Sequence, residues 1–232
     1  MRRSFVRLAW ALGPVWLAAC GGPEPGVSAQ GTPLAAAVAQ TAGAGLPELR
    51  AGQLAAARSQ FESALRADPD RMAALNDLAL TYYLEGRFEA ARQLLDEVVA
   101  KGASPEQQAA LVNLAELYSL EGYLTAAQAH LESARAIDPA RPEPVYATAL
   151  FLDGRGDPDA ARLVKDALRL DADGSARRAL AFVYPEEKTH LDALVAEASG
   201  EREQAVSRWR ELKAGRFPSL AQAAERHLEE EP

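Results

Sequence analysis

The chain offers one thiol, Cys20, and three imidazoles, His130, His190 and His227, as groups for nucleophilic or metal chemistry. The histidines fall on separate helical stretches, without H-E-x-x-H or any other ligand spacing, so no metal site is expected. No G-x-S-x-G nucleophile elbow is present. Gly154-Arg155-Gly156-Asp157-Pro158 is glycine-rich but lacks the rest of a phosphate loop, and Pro158 has no N–H to offer a phosphate. It reads as a turn, and Glu229-Glu230-Glu231 reads as a solvated helix end. These residues point away from catalysis: no catalytic side chain, no cofactor and no enzyme activity are expected. Cys20 stands behind Arg2, Arg3, Arg7 and an apolar run, Leu8 to Ala19, broken by Gly13-Pro14. A basic start, a short apolar stretch and small residues at the cut are the pattern of a secretory signal peptide, here residues 1–19. A membrane-spanning helix would need about 20 apolar residues. With a single cysteine the chain can form no intramolecular disulfide, so packing must stabilise it.

Leu17-Ala18-Ala19-Cys20 resembles the lipobox of bacterial lipoproteins. That resemblance implies that Cys20 is the first mature residue, carrying a thioether-linked diacylglycerol and an N-acyl chain. Gly21, not Asp, follows it; by resemblance to enteric lipoproteins this implies the outer membrane, facing the periplasm, over the inner one. Arg2-Arg3-Ser4-Phe5-Val6-Arg7 also resembles a twin-arginine export motif, and the export route stays open.

The chain carries 25 basic and 33 acidic residues, net −8. Loss of residues 1–19 removes three arginines and leaves −11. Charge of that sign repels phosphate backbones and anionic headgroups, which argues against nucleic acid and leaves membrane attachment to the lipid. Residues 20–46 are rich in Gly, Pro, Ala, Ser, Thr and Gln and read as a flexible linker.

Beyond the linker the sequence repeats. Gly52 and Gly86 are 34 residues apart, and the same neighbours return around Gly122, 36 residues later. After each glycine comes an i, i+4, i+7 set of small and larger apolar residues: Ala57, Phe61, Ala64; Ala91, Leu95, Val98; Ala127, Leu131, Ala134. Weaker sets follow at Ala160, Val164, Ala167 and at Ala205, Trp209, Leu212. Before the glycines, Leu75-x-x-Leu78-Ala79-x-x-Tyr82 matches Leu111-x-x-Leu114-Ala115-x-x-Tyr118. Asp68-Pro69 and Asp138-Pro139 stop the second helices. This pattern resembles the tetratricopeptide repeat (TPR), with Leu for Trp and Ala for Gly. It implies an all-α solenoid of about four to five helix-turn-helix repeats with a C-terminal capping helix. The expected units are a partial repeat one at 47–69, repeat two at 72–103, repeat three at 106–139 and repeat four at 142–172. An irregular segment at 173–187 includes an extra helix over Ser175–Tyr184. Repeat five follows at 188–214 and a cap at 217–230.

The same resemblance places a partner-binding groove on the first helix of each repeat. The matching positions are Asn76, Leu80 and Tyr83; Val112, Glu116 and Ser119; Tyr146, Leu150 and Asp153. Apolar and aromatic anchors among an amide and carboxylates suit a peptide or amphipathic helix. The alternative reading makes Leu80 and Leu150 solenoid core. The expected role is a lipid-anchored protein-interaction scaffold of the bacterial envelope, with an envelope protein as partner. By architecture it resembles pilotin-type factors, which serve a secretin of type IV pili or secretion systems. An adaptor for cell-wall enzymes, peptidoglycan synthases or hydrolases, is the alternative, and an enzyme with an unrecognised site is the competing class.

Overall fold

The structure is a computed structural model that describes residues 45–180, 182 and 184–229, apart from the side chains of Arg50 and Ala179. The signal segment, Cys20 and the linker up to residue 44 lie outside these described residues. The described residues hold twelve helices and no strand.

Five helix pairs follow the repeat. They are α1 (Leu46–Arg50) with α2 (Leu54–Ala67), α3 (Met72–Leu84) with α4 (Phe88–Lys101), and α5 (Ser104–Leu120) with α6 (Leu124–Ile137). After α7 (Glu143–Gly154) with α8 (Asp159–Leu170) comes a short helix, α9 (Ser175–Ala179). The last pair is α10 (Pro185–Ala198) with α11 (Arg202–Lys213), closed by α12 (Pro218–Glu229). No described helix is long and apolar enough to cross a membrane.

The turns inside the pairs share one geometry. At Gly86 the glycine N–H donates to Tyr83 O at 2.9 Å and the next N–H, of Arg87, to Tyr82 O at 2.8 Å. The same two bonds recur at Gly52, Gly122, Gly156 and Gly200. This is the Schellman stop, in which the residue after the helix takes a left-handed conformation. Gly86 has φ +74° with nothing within 4 Å of where a Cβ would stand, so the backbone angle, not space, calls for glycine. The ends of α2 and α6 also match: Asp68 and Asp138 are extended before their prolines, and each carboxylate accepts the N–H two residues on.

Burial separates the two helix types. Second helices bury one stripe, as in α4, where Ala91, Leu95 and Val98 are enclosed. Ala57, Ala91, Ala127, Ala160 and Ala205 are all buried where the paired helices cross, with Phe61, Leu95, Leu131, Val164 and Trp209 one turn on. Ala64 is the half-buried member of its set. The first helices α3, α5 and α7 are enclosed on nearly every side; α3 packs against α2, α4 and α5 together. That explains why Leu78–Leu84 reads as an apolar run broken only by Thr81 while α4 reads as amphipathic.

Two local readings differ from the structure. Repeat one, read as partial, does have a first helix, the short α1, with Pro47 in its first turn, where the missing N–H has no helical partner to lose. The helix read over Ser175–Tyr184 is only α9, five residues long, because Leu180 leaves helical geometry at ψ 133° and turns its side chain into the core. Asp171 anchors this segment to repeat four. Its carboxylate accepts the N–H groups of Ala176 and Arg177, both at 2.9 Å, and the hydroxyl of Tyr146 at 3.2 Å.

Candidate functional site

All nine positions named from the sequence as a groove are buried, Asp153 being the most exposed at 6%. Asn76 accepts from Asn113 at 2.9 Å, an amide link between repeats two and three. Leu80 packs with Leu49 and Phe61 in the apolar cluster joining repeats one and two. Val112 and Leu150 lie in the large cluster that runs from repeat three to the cap, and Ser119 is enclosed. Tyr83 donates its hydroxyl to Glu116 at 3.3 Å, and Tyr146 donates to Asp171. Burial, reinforced by the facing carboxylates, pushes both phenols well above their ordinary value.

Tyr83 also lines a cavity of about 560 Å³. Its wall begins at the turn ends of repeats two and three, with Phe88, Leu117, Leu120 and Tyr123. Tyr184 and Phe217 complete it from the residues just ahead of α10 and α12. The aromatic rings pack in two pairs. Tyr83 and Phe88 have centroids 5.7 Å apart, and Tyr184 and Phe217 meet edge to face at 5.1 Å. Arg216 lies over the second pair, 4.9 Å from Tyr184 and 5.0 Å from Phe217, and pairs with Glu186 at 2.9 Å. Glu121 at the rim is held by Arg92 at 2.5 Å. With its charges satisfied internally, the cavity offers apolar and aromatic surface. Phe88 is 41% exposed there, one of two large apolar side chains so exposed among the described residues. The groove reading did not include Phe88, Tyr123, Tyr184 or Phe217. The signal for two of them is Tyr184-Pro185 and Phe217-Pro218, an aromatic directly before a helix-opening proline in each case, with Tyr184 extended.

Asp153 belongs to a second cluster. The histidines look scattered along the chain, yet the fold brings two of them onto this one carboxylate. His190 Nε2 is 2.6 Å from Asp153 Oδ2, and His227 Nε2 is 2.8 Å from Asp153 Oδ1. His227 Nδ1 lies 3.0 Å from Glu197, which also accepts the Trp209 indole N–H at 2.6 Å. Arg226 donates to the Asp153 carbonyl at 2.6 Å. An imidazole with a carboxylate at each nitrogen donates from both, so His227 is an imidazolium. Burial works against its charge, but Asp153 and Glu197 outweigh it and raise the pKa to about 9. Asp153 is held far below the usual carboxylate range, its burial overcome by the two histidines. His190 Nδ1 is buried without a hydrogen-bond partner among the described residues. The third histidine, His130, stacks on Tyr118 at 5.2 Å, and burial lowers its pKa. Among the described residues no group of three such side chains has the arrangement to hold a metal ion. The cluster ties α7, α10, α11 and α12 together.

The tetratricopeptide repeat family model matches residues 48–114. No curated protein matches the chain. Among solved structures, the chain is similar to TTC0263, a thermophilic TPR protein of Thermus thermophilus, with 24% identity and a TM-score of 0.54 over 79% of this chain and 95% of that one. It also aligns with the crystal structure of MamA, at 19% identity and a TM-score of 0.43 over 80% of this chain and 96% of that one. The repeat match, the recurring glycine turns and the likeness to the Thermus protein agree on one conclusion: residues 48–114 match the tetratricopeptide repeat, and the chain folds as a TPR-type helical solenoid.

Proposed function

We propose that this solenoid is a protein-interaction scaffold held at a bacterial envelope membrane through lipidated Cys20, taking a partner segment by an apolar anchor in the aromatic cavity beside Tyr83. The TPR fold supports the scaffold role. The observation that carries the choice of seat is Phe88, a large aromatic left 41% exposed on the wall of a cavity otherwise built from packed rings. A cavity of about 560 Å³ accommodates one or two apolar side chains. Two other groove positions brace this seat from within: Glu116 fixes the Tyr83 hydroxyl, and Asn76, bonded to Asn113, fixes the spacing of the two first helices. The anchor rests on the Leu17–Cys20 tetrapeptide. In its sharpest form the partner is an outer-membrane secretin, by likeness of architecture to pilotin-type lipoproteins.

The test is crosslinked capture from envelope fractions with the native chain, a Cys20→Ala chain and a Phe88→Ala chain. The reading expects one envelope partner with the native chain, reduced about tenfold by Phe88→Ala, the scale of a single apolar hot spot, and lost without the anchor. A secretin among the captured proteins supports the pilotin form, and cell-wall enzymes move the role to wall synthesis. Equal capture by native and Phe88→Ala chains overturns the seat.

A further inference from the structure

We propose that a second cavity, between the α7–α8 turn and helices α10 and α12, binds a small carboxylate carrying a short apolar body. The cavity measures about 420 Å³ and lies apart from the aromatic seat.

Its floor is the Asp153 cluster, and the state of each charge there decides the ligand. Every acid of the lining is already engaged by protein donors. Asp153 holds His190 and His227, and Glu197 holds His227 and Trp209. Asp157 accepts the N–H of Asp159 at 3.0 Å. The two remaining bases are not matched. Arg226 gives one N–H to the Asp153 carbonyl and has no carboxylate partner among the described residues, and neither has Lys165. The guanidinium is also fixed in place. It lies against Gly156, where a Cβ would stand 3.2 Å from its Cζ and Nε. A preset guanidinium with open donors is complementary to the planar fork of a carboxylate, and Lys165 adds a second positive charge at the rim. The rest of the wall is small and apolar, including Pro158, Ala161, Val164 and Leu194. That surface suits a short aliphatic group beside the acid, and the volume is that of a small-molecule site.

Trp209 reports on the site because its ring stacks on His227, which lines the cavity. The probe is N-acetyl-valine, titrated into the full chain carrying Trp10→Phe and Trp16→Phe, so that Trp209 is the sole tryptophan. The expected result is a saturable emission change with the free acid and none with N-acetyl-valine amide. Arg226→Gln should weaken binding at least tenfold. Because Arg226→Gln could loosen the cap, Ala161→Glu serves as a second variant. It places a competing carboxylate on an exposed wall position without touching the cluster, and should also abolish the change. A pentapeptide ending in valine separates the source. Binding equal to that of the free acid assigns a peptide C-terminus, and loss of binding assigns a small metabolite. Identical responses to acid and amide, or no saturable response to either, overturn the proposal.

Discussion

Trp209 lies flat on His227, with ring centroids 4.1 Å apart and planes 7° from parallel. The indole N–H and the imidazolium share one acceptor, Glu197, so the stack is held at its edge as well as its faces. Through His227 the capping helix α12 reaches back to Asp153 at the end of α7, the first helix of repeat four, 74 residues earlier. The last repeat is thereby clamped to the array by charge as well as by apolar burial.

This clamp makes stability depend on alkaline pH. His227 has a folded pKa of about 9, raised from 6.5. A raised imidazole pKa contributes stability fully present below the unfolded value and lost as pH rises through the folded one. The melting temperature should therefore fall as pH rises from about 6.5 to about 9, more steeply than in His227→Gln, whose melting temperature should already be lower at pH 7. Parallel pH profiles for the two proteins would remove His227 from the account.

Asp153 is the hub, and its removal should be costly. Asp153→Ala leaves His227 half-paired, unpins His190 and deprives a buried cluster of its central charge. Breaking a buried pair this way costs about 3–5 kcal/mol. Urea unfolding followed by far-UV circular dichroism measures it. A loss below about 1 kcal/mol would place the clamp among the weak surface pairs.

The turn glycines separate backbone strain from crowding. Gly86→Ala forces a left-handed residue into open space and should cost about 1–2 kcal/mol. Gly156→Ala carries the same strain at φ +74° and also displaces the Arg226 guanidinium, so it should cost more. Chemical denaturation of the two variants gives the comparison. Equal losses would mean that Arg226 moves aside freely.

The crossing alanines test the packing. Ala127 is fully enclosed between paired helices, and Ala127→Leu should destabilise by about 1–3 kcal/mol through overpacking. The exposed Phe88, in contrast, should accept Ala within about 0.5 kcal/mol, as surface sites do. Thermal unfolding of both variants checks the pair of expectations.

What the chain's order reveals and what it hides follow from the range of each interaction. Ala91, Leu95 and Val98 recur on one face because helix geometry is local, so the repeat and its buried stripe are readable from spacing alone. Gly86 is readable for the same reason, since a Schellman stop is set within six residues. Asp153, His190 and His227 are not, because α10 and α12 bring them together only after the solenoid has formed, and nothing periodic marks them. Tyr184 and Phe217 lie between. Each carries a local mark, the proline that follows it, but their meeting with Phe88 depends on how the C-terminal helices lie over repeats two and three. The groove positions show the opposite hazard. Their offsets identify them as first-helix residues, yet an offset does not tell a surface from an interior, and Leu80 sits in the core with Phe61.

The central claim is that a partner is taken at the aromatic cavity. The most direct measurement replaces Phe88 with p-benzoylphenylalanine in the full chain, with the same substitution at Arg162 on the exposed face of α8 as control. After irradiation in envelope membranes, the account predicts one discrete adduct from position 88 and none from position 162. Adducts of equal yield from both positions, or an adduct from 162 alone, would contradict it.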